Sequence, residues 1–342
     1  MRRLLMAAAL WLAAGSAGAA APRVVSLDQC ADQYVLALSP RSAIAGLSYR
    51  AGAGDSFLAA RAGGLPRLRT TLESLLAAEP QVALRTWGGD AQLTRRLQAR
   101  GVRVVTLNDA HDFNGVRADI RVAADALGNP AGGERLIADM DRKLAHAGAR
   151  PTQRRVAYLT PSGATSGGGT LVDAMLTAAG LRNTETRPGY RVLSLERLAL
   201  APPQALVLGF FDAFAVDRTW WSPARNGVMR MASQKRALAS LPGAVLSCPA
   251  WFAADGVVTL SRAAAATRGA RILHRTSAMG SCGLKLRPYW ARLKGVSPTA
   301  TPRAMTRTKT NAKPSTWAEI FMRRPPPATG SPRRRRRTTP GN

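Results

Sequence analysis

Polar and aromatic residues follow several predicted strands of this chain, and their types suit ligand binding. Ligands of open α/β sheets bind beyond the carboxyl ends of the strands, so residues at those positions are the first candidates. In the first half of the chain these residues are Asp28, Gln29, Cys30, Tyr49, Arg50, Trp87 and Asn108. In the second half they are Ser162, Thr165, Phe210, Phe211, Asp212, Cys248 and Trp251. Aromatic rings with a few charged groups predict a pocket for a large, flat, partly apolar ligand, although each aromatic taken alone also fits a core position.

The motifs of common enzyme classes are missing from the sequence. It contains no Gly-x-Ser-x-Gly, no Gly-x-x-x-x-Gly-Lys phosphate loop, no His-Glu-x-x-His and no Cys-x-x-Cys. The histidines His111, His146 and His274 lie in a predicted connector, at a helix end and in a tail. We therefore expect a protein that is not an enzyme and holds no cofactor and no metal of its own. A hydrolase that uses His111 is the third alternative.

One segment of the chain occurs twice without a gap, from Thr71 to Leu84 and from Ser194 to Val207. Each copy predicts a helix that begins after Thr or Ser, ends before proline and leads into a buried strand. The identical pairs are Leu72/Leu195, Glu73/Glu196, Leu75/Leu198, Ala78/Ala201, Pro80/Pro203 and Gln81/Gln204. A doubled α/β unit predicts two similar lobes with a cleft between them.

The repeated acids Glu73 and Glu196 have two interpretations. Each carboxylate lies in the first turn of its predicted helix, where it would interact favourably with the helix dipole by about 0.3–1 kcal/mol. Matched positions in two lobes also suit docking onto a dimeric partner with two basic sockets. From the sequence of these residues alone, the two interpretations have about equal support.

The elements that must position these residues alternate between strands and helices, which indicates a mainly parallel sheet covered on both faces. From residue 112 to residue 150 the apolar spacing becomes helical, with an interruption at Gly128 to Pro130. We predict an α/β fold of two Rossmann-like lobes joined by a long helical connector, followed by a disordered basic C-terminal tail. The predicted boundaries are 1–20 for a signal peptide, 22–111 for the N-terminal lobe, 112–150 for the connector, 151–267 for the C-terminal lobe and 268–342 for the tail.

Both ends of the chain differ from its body. A basic start, the short apolar run Leu4 to Ala14 and the small residues Ala17 to Ala19 predict a cleavable signal peptide and export to the periplasm. The tail from Arg268 holds 18 Lys or Arg residues and one acid, so it supplies +17 of the net charge of +29. It could bind nucleic acid or anionic lipid, or be a disordered extension, which we favour because an exported protein rarely meets nucleic acid. The sequence does not settle whether Cys30 and Cys248 pair.

The chain resembles the periplasmic binding proteins for vitamin B12, haem and iron-siderophores, which are components of ABC importers. Residues 23–33 look like that family's first strand and helix, and residues 71–81 look like its acid-led helix running into a strand. Gln81 and Gln204 replace the aspartate that is usual there. The resemblance covers Arg23 to Ala266 and implies two α/β lobes, one long joining helix, an interlobe ligand and little hinge motion.

The resemblance also assigns roles to residues. In the family one glutamate per lobe engages arginines of a dimeric permease, and Glu73 and Glu196 match those positions. The family's pocket aromatics match Tyr49 and Trp87, and less closely Tyr190 and Trp251. The full set of expected ligand-binding residues is Tyr49, Arg50, Trp87, Tyr190, Phe211 and Trp251, with Asp28 and Asp212 as further polar contacts.

Together these features predict a monomeric periplasmic protein that captures a metal chelate and delivers it to an inner-membrane ABC permease dimer. We rank a corrinoid or a ferric siderophore ahead of haem as the ligand, and we expect no nucleic-acid partner. The alternative is an exported, envelope-associated binding protein whose basic tail contacts anionic polymers.

Overall fold

The computed structural model describes residues 21–148, 153–213 and 226–279. These residues all lie within one compact unit that extends to Ser281. The predicted signal peptide, and the part of the predicted tail from residue 280 onward, lie outside the described residues.

The described residues contain eleven strands and ten α-helices. The strands are β1 Val24–Ser26, β2 Ile44–Ser48, β3 Arg67–Leu68, β4 Val82–Thr86, β5 Arg103–Leu107, β6 Arg154–Leu159, β7 Ala164–Ser166, β8 Leu181–Asn183, β9 Tyr190–Val192, β10 Ala205–Gly209 and β11 Ala237–Leu241. The helices are α1 Gln29–Leu38, α2 Leu72–Leu76, α3 Ala91–Gln98, α4 Phe113–Ala126, α5 Pro130–Gly148, α6 Leu171–Ala178, α7 Leu195–Leu200, α8 Gly227–Arg236, α9 Gly243–Leu246 and α10 Ala253–Met279.

The strands form two parallel sheets and one two-stranded antiparallel sheet. The first sheet has the order β3-β2-β1-β4-β5, and the second has the order β11-β10-β6-β8. Every strand pair within these two sheets is parallel, whereas β7 and β9 pair antiparallel. The predicted α/β class with two parallel sheets flanked by helices is therefore confirmed.

The doubled sequence segment occupies the same place in both sheets. The order β2-β1-β4-β5 of the first sheet is repeated as β8-β6-β10-β11 in the second, so β4 and β10 correspond. Each of these strands begins at the end of one copy of the segment and pairs with the first strand of its sheet, with Val82 opposite Val24 and Ala205 opposite Val156.

The repeated glutamines explain part of this correspondence. The Gln81 side chain accepts a hydrogen bond from the Arg23 amide at 2.8 Å, and Gln204 accepts one from the Arg155 amide at 3.3 Å. Both amides belong to the start of the first strand of their sheet, so each glutamine side chain joins the repeated segment to that strand.

Helices cover both sheets and connect them. One apolar cluster packs the inner faces of the two sheets against α1, α4, α5, α6 and α10. Two smaller clusters cover the outer faces, one under α2 and α3 and the other under α7 and α8. The 19-residue helix α5 packs against both α4 and α10, so it links the two halves of the chain.

A disulfide bond joins the first half to the second. Cys30 at the start of α1 is bonded to Cys248, with a Cα–Cα distance of 5.3 Å. Beside it the Tyr34 hydroxyl donates to the Pro249 carbonyl at 3.2 Å, and the Tyr34 ring meets Trp251 edge to face. The pairing that the sequence left open is thus formed in the structure.

The connector region and the first residues of the predicted tail are helical in the structure. The connector region contains two helices, because residues 127–129 end α4 before Pro130 begins α5. Helix α10 continues to Met279, so the predicted tail boundary at residue 268 falls inside a helix.

Candidate ligand-binding site

Two exposed aromatic residues lie at the carboxyl ends of two strands of the first sheet. Tyr49 directly follows β2 and is 73% exposed, and Trp87 directly follows β4 and is 58% exposed. Strands β2 and β4 lie on either side of β1. Two strand spacings place their ends about 10 Å apart. We call Tyr49 and Trp87 the aromatic pair.

A third exposed aromatic comes from the second half of the chain. Tyr190 is the first residue of β9, which pairs with β7, and its side chain is 65% exposed. The pKa of Tyr190 is raised, chiefly because its hydroxyl is desolvated and further by the negative charge of Asp109. Asp109 lies beyond the end of β5, at the carboxyl edge of the first sheet.

Arg50, which follows Tyr49, is held by first-half partners. Its guanidinium binds both carboxylate oxygens of Asp55 at 2.8 Å and donates to the Gln29 side chain at 2.6 Å. Asp55 in turn accepts a hydrogen bond from Ser247 of the second half at 3.4 Å. The cation predicted to contact the ligand therefore takes part in a network that crosses between the halves.

The two other predicted polar contacts, Asp28 and Asp212, are engaged in local structure. Asp28 caps α1 by accepting from the amides of Cys30 and Ala31, and it also accepts from the amide and hydroxyl of Thr86. Asp212 accepts from the Gly243 amide at 2.9 Å. Because four bonds use the acceptor capacity of Asp28, its carboxylate has a clear structural role, whereas Asp212 is exposed and accepts from the Gly243 amide.

Trp251 and Phe211 are less exposed than Tyr49, Trp87 and Tyr190. Trp251 is buried and packs edge to face against Tyr34 and Phe252. Phe211 is half-buried against the apolar cluster under α7 and α8. Its neighbour Phe210 lies beside Gly243, since a Cβ placed on Gly243 would be 3.3 Å from the Phe210 ring.

Three residues near these groups were missed from the sequence: Asp55, Asp109 and Ser247. Asp55 lies in a loop rich in glycine and alanine, and Ser247 follows a four-residue helix, so neither has a recognisable pattern around it. Asp109 follows Asn108, which the strand-end argument did find.

A buried carboxylate, Asp32, contacts Ser48, the residue before Tyr49. It is fully buried on α1 and accepts hydrogen bonds from the Ser26 hydroxyl, from the Ser48 amide at 2.9 Å and from the Ser48 hydroxyl at 2.5 Å. Burial raises the pKa of Asp32 to about 6, although the hydrogen bonds from Ser26 and Ser48 lower it. The negative charge of Asp28 adds a smaller upward effect.

The repeated acids lie at equivalent surface positions. Glu73 and Glu196 are both exposed in the first turn of α2 and α7. The helices are capped in the same way, since Thr71 accepts from the Ser74 amide and Ser194 accepts from the Arg197 amide. The sequence match of the two acids therefore extends to their local structure.

No three His, Cys, Asp or Glu side chains of residues 21–148, 153–213 and 226–279 are grouped so that they could hold a metal ion. Within the same ranges no helix combines the length and apolar character needed to cross a bilayer.

Several solved structures share this fold. A periplasmic haem-binding protein, BhuT, solved with two haems, is 25% identical over 71% of this chain and 97% of its own, with a TM-score of 0.55. The periplasmic haem-binding protein RhuT from Roseiflexus sp. RS-1 is 23% identical over 71% and 98% of the two chains, with a TM-score of 0.54. The vitamin B12-binding protein BtuF of Vibrio cholerae is 17% identical over 73% and 98%, with a TM-score of 0.52.

A comparison with curated proteins finds no match. The family model for periplasmic binding proteins matches residues 24–209, which is more than half of the chain. That range contains both copies of the doubled segment, the aromatic pair and most of both sheets. The chain is a member of the periplasmic binding protein family.

Proposed function

We propose that this protein is the ligand-binding component of a bacterial ABC importer and that it captures a metal chelate outside the cytoplasm. Structural neighbours that bind haem or vitamin B12 support this class of ligand. We assign residues 22–111 and 151–267 to its two lobes and residues 112–150 to the connector.

The observation that carries the proposal is the exposure of three aromatic residues, of which Tyr49 and Trp87 follow the carboxyl ends of β2 and β4 and Tyr190 begins β9. Exposed tyrosine and tryptophan are costly on a surface with no partner, because their rings are largely apolar. The aromatic pair is separated by about two strand spacings, a distance comparable to the width of a tetrapyrrole or corrin ring. Tyr190 supplies a third ring from the second half of the chain.

The charge near the aromatic pair favours a corrinoid over haem. Haem carries two propionates, which require cationic partners, whereas the side chains of a corrinoid end mainly in neutral amides. Arg50 already pairs with Asp55, whose two carboxylate oxygens accept from one guanidinium nitrogen, and the negative charge of Asp109 helps to raise the pKa of Tyr190. Binding a carboxylate here would break an existing ion pair or bring like charges together.

Delivery requires contact with the permease, and we propose that Glu73 and Glu196 provide it. Both acids are exposed, and they occupy the same position of a repeated helix in each half. A dimeric permease with one basic socket per subunit would match such a pair.

Equilibrium binding of cyanocobalamin, haemin and ferrichrome to the purified protein tests the ligand class. We expect cyanocobalamin to bind most tightly, and Trp87→Ala or Tyr49→Ala to weaken it about tenfold by removing one ring contact. Met231→Ala, which removes an exposed apolar side chain from α8, is the control and should leave binding unchanged. Preferential binding of haemin or ferrichrome would refute the corrinoid assignment, and no binding of any of the three would refute the metal-chelate proposal.

The alternative function is attachment to anionic envelope polymers through the basic tail. The charge of residues 268–342 is the only observation that favours it. Salt-sensitive binding to anionic vesicles that disappears when residues 280–342 are deleted, combined with no response to the three chelates, would select this alternative.

A further inference from the structure

Two carboxylates of helix α1, Asp28 and Asp32, make the same set of contacts with two different strands. Asp28 accepts from the Thr86 amide at 2.8 Å and from the Thr86 hydroxyl at 3.0 Å. Asp32 accepts from the Ser48 amide at 2.9 Å and from the Ser48 hydroxyl at 2.5 Å. In each case one side chain holds both the backbone and the hydroxyl of a single strand-end residue.

The residues that are held share a second property. Thr86 is the last residue of β4 and directly precedes Trp87, and Ser48 is the last residue of β2 and directly precedes Tyr49. Each carboxylate therefore fixes the backbone immediately before one exposed aromatic residue. The Ser48 hydroxyl also accepts from the Arg50 amide at 3.2 Å, so the order extends past Tyr49.

The topology explains why one helix can reach both strands. Strand β1 leads into α1 and lies between β2 and β4 in the sheet. The start of α1 is therefore placed between the carboxyl ends of its two neighbours. Asp28 reaches toward β4, and Asp32, one turn later along the helix, reaches toward β2.

We propose that Asp28 and Asp32 are positioning residues that set the separation and orientation of Trp87 and Tyr49. This inference rests on the proposed ligand site and adds two residues that touch no ligand. Its physical basis is preorganisation: a ring attached to fixed backbone loses less entropy when a rigid ligand binds. Capping of α1 explains the bonds from Asp28 to Cys30 and Ala31, but capping requires no contact with Thr86.

Hydrogen–deuterium exchange tests the positioning role without any ligand. In Asp32→Ala, amide exchange in residues 48–50 should rise at least tenfold while residues 86–88 stay protected as in the wild type. Thr86→Val, which keeps the cap of α1 and removes only the hydroxyl, should raise exchange in residues 86–88 alone. Equal changes in both segments, or no change in either, would overturn the proposal.

A ligand measurement separates positioning from general loss of stability. Asp32→Ala should weaken cyanocobalamin binding about tenfold, and Asp32→Asn, which keeps an acceptor for the Ser48 amide, should restore binding to within about threefold. Asp119→Ala is the matched control, because Asp119 is a buried carboxylate of the same half that holds Asn108 instead of an aromatic residue. Loss of binding in Asp119→Ala equal to that in Asp32→Ala would refute the positioning role.

The exchange result stands apart from the proposed function. A wild-type protein that binds none of the three chelates refutes the ligand assignment, while segment-specific exchange still decides whether the carboxylates hold the aromatic pair.

Discussion

Removing the disulfide between Cys30 and Cys248 should destabilise the protein strongly. The bond links two residues that are 218 positions apart, so it closes a loop that includes most of the described chain. The double variant Cys30→Ser, Cys248→Ser is the cleaner perturbation, because a single variant would leave a thiol free to pair with Cys282.

The expected size of the effect follows from the length of the loop. In the chain-entropy treatment, a loop of this length restricts the unfolded chain by about 5 kcal/mol. The folded state keeps its other contacts near the disulfide when the bond is removed. These are the contacts of Tyr34 with Pro249 and Trp251 and the stacking of Phe57 on Phe252, with ring centres 4.3 Å apart. For a protein with about 250 ordered residues, 5 kcal/mol corresponds to a fall in melting temperature of about 10–20 °C.

Thermal unfolding followed by circular dichroism measures this effect. The double variant should melt about 10–20 °C below the oxidised wild type, and the wild type with a phosphine reductant should melt with the variant. The reductant should leave the double variant unchanged, which controls for its other actions. A fall of less than about 3 °C would refute the reasoning, because it would mean that the link hardly restricts the unfolded chain.

Three further predictions concern side chains. Because the pKa of Asp32 lies near 6 in the folded protein, above its ordinary value of 3.8, the stability it contributes is full below pH 4 and is lost as pH rises through 6. Urea unfolding should thus show wild type gaining about 1 kcal/mol between pH 7.5 and pH 5 relative to Asp32→Asn, and equal pH profiles would contradict the burial argument. Glu73→Arg and Glu196→Arg should each reduce permease-dependent uptake more than tenfold and leave chelate affinity unchanged. The control is Asp125→Arg, the same charge reversal at an exposed residue of α4, which should affect neither uptake nor affinity. Weakened chelate affinity in the glutamate variants would place the glutamates at the ligand. Gln81→Ala and Gln204→Ala should each cost about 1 kcal/mol of unfolding free energy, and no loss in either would show that these bonds to the first strands contribute nothing.

The doubled segment made the architecture predictable from the sequence. Its two copies fixed a helix, a turn and a buried strand in each half, and alternation of strands and helices around them indicated parallel pairing. The resulting expectation of two parallel sheets flanked by helices is confirmed. The segment could do this because its pattern is local: a capping hydroxyl, an acid in the first helical turn and a proline stop lie within about ten residues.

The antiparallel pairing of β7 with β9 was not predicted, because the two strands lie far apart along the chain. Both strands have three residues, and more than twenty residues separate them along the chain. Strands of this length show no alternation that distinguishes them from loop. Tyr190 was found only through family resemblance, and its position beside Asp109 depends on this long-range pairing.

The candidate site was predictable in position but only partly in role. The strand-end argument found Tyr49 and Trp87, which are exposed, and equally Trp251, which is buried. Residue type and spacing cannot separate these cases, because the burial of Trp251 depends on Tyr34 and on the disulfide at Cys248. The contacts of Asp28 with Thr86 are likewise set by which strands are neighbours in the sheet.

The disulfide also imposes an order of events on the newly made chain. As the polypeptide emerges from its N-terminus, Cys30 arrives 218 residues ahead of its partner. All five strands of the first sheet, which ends at Leu107, emerge during that interval. The covalent link can therefore form only after every strand of both sheets has been delivered.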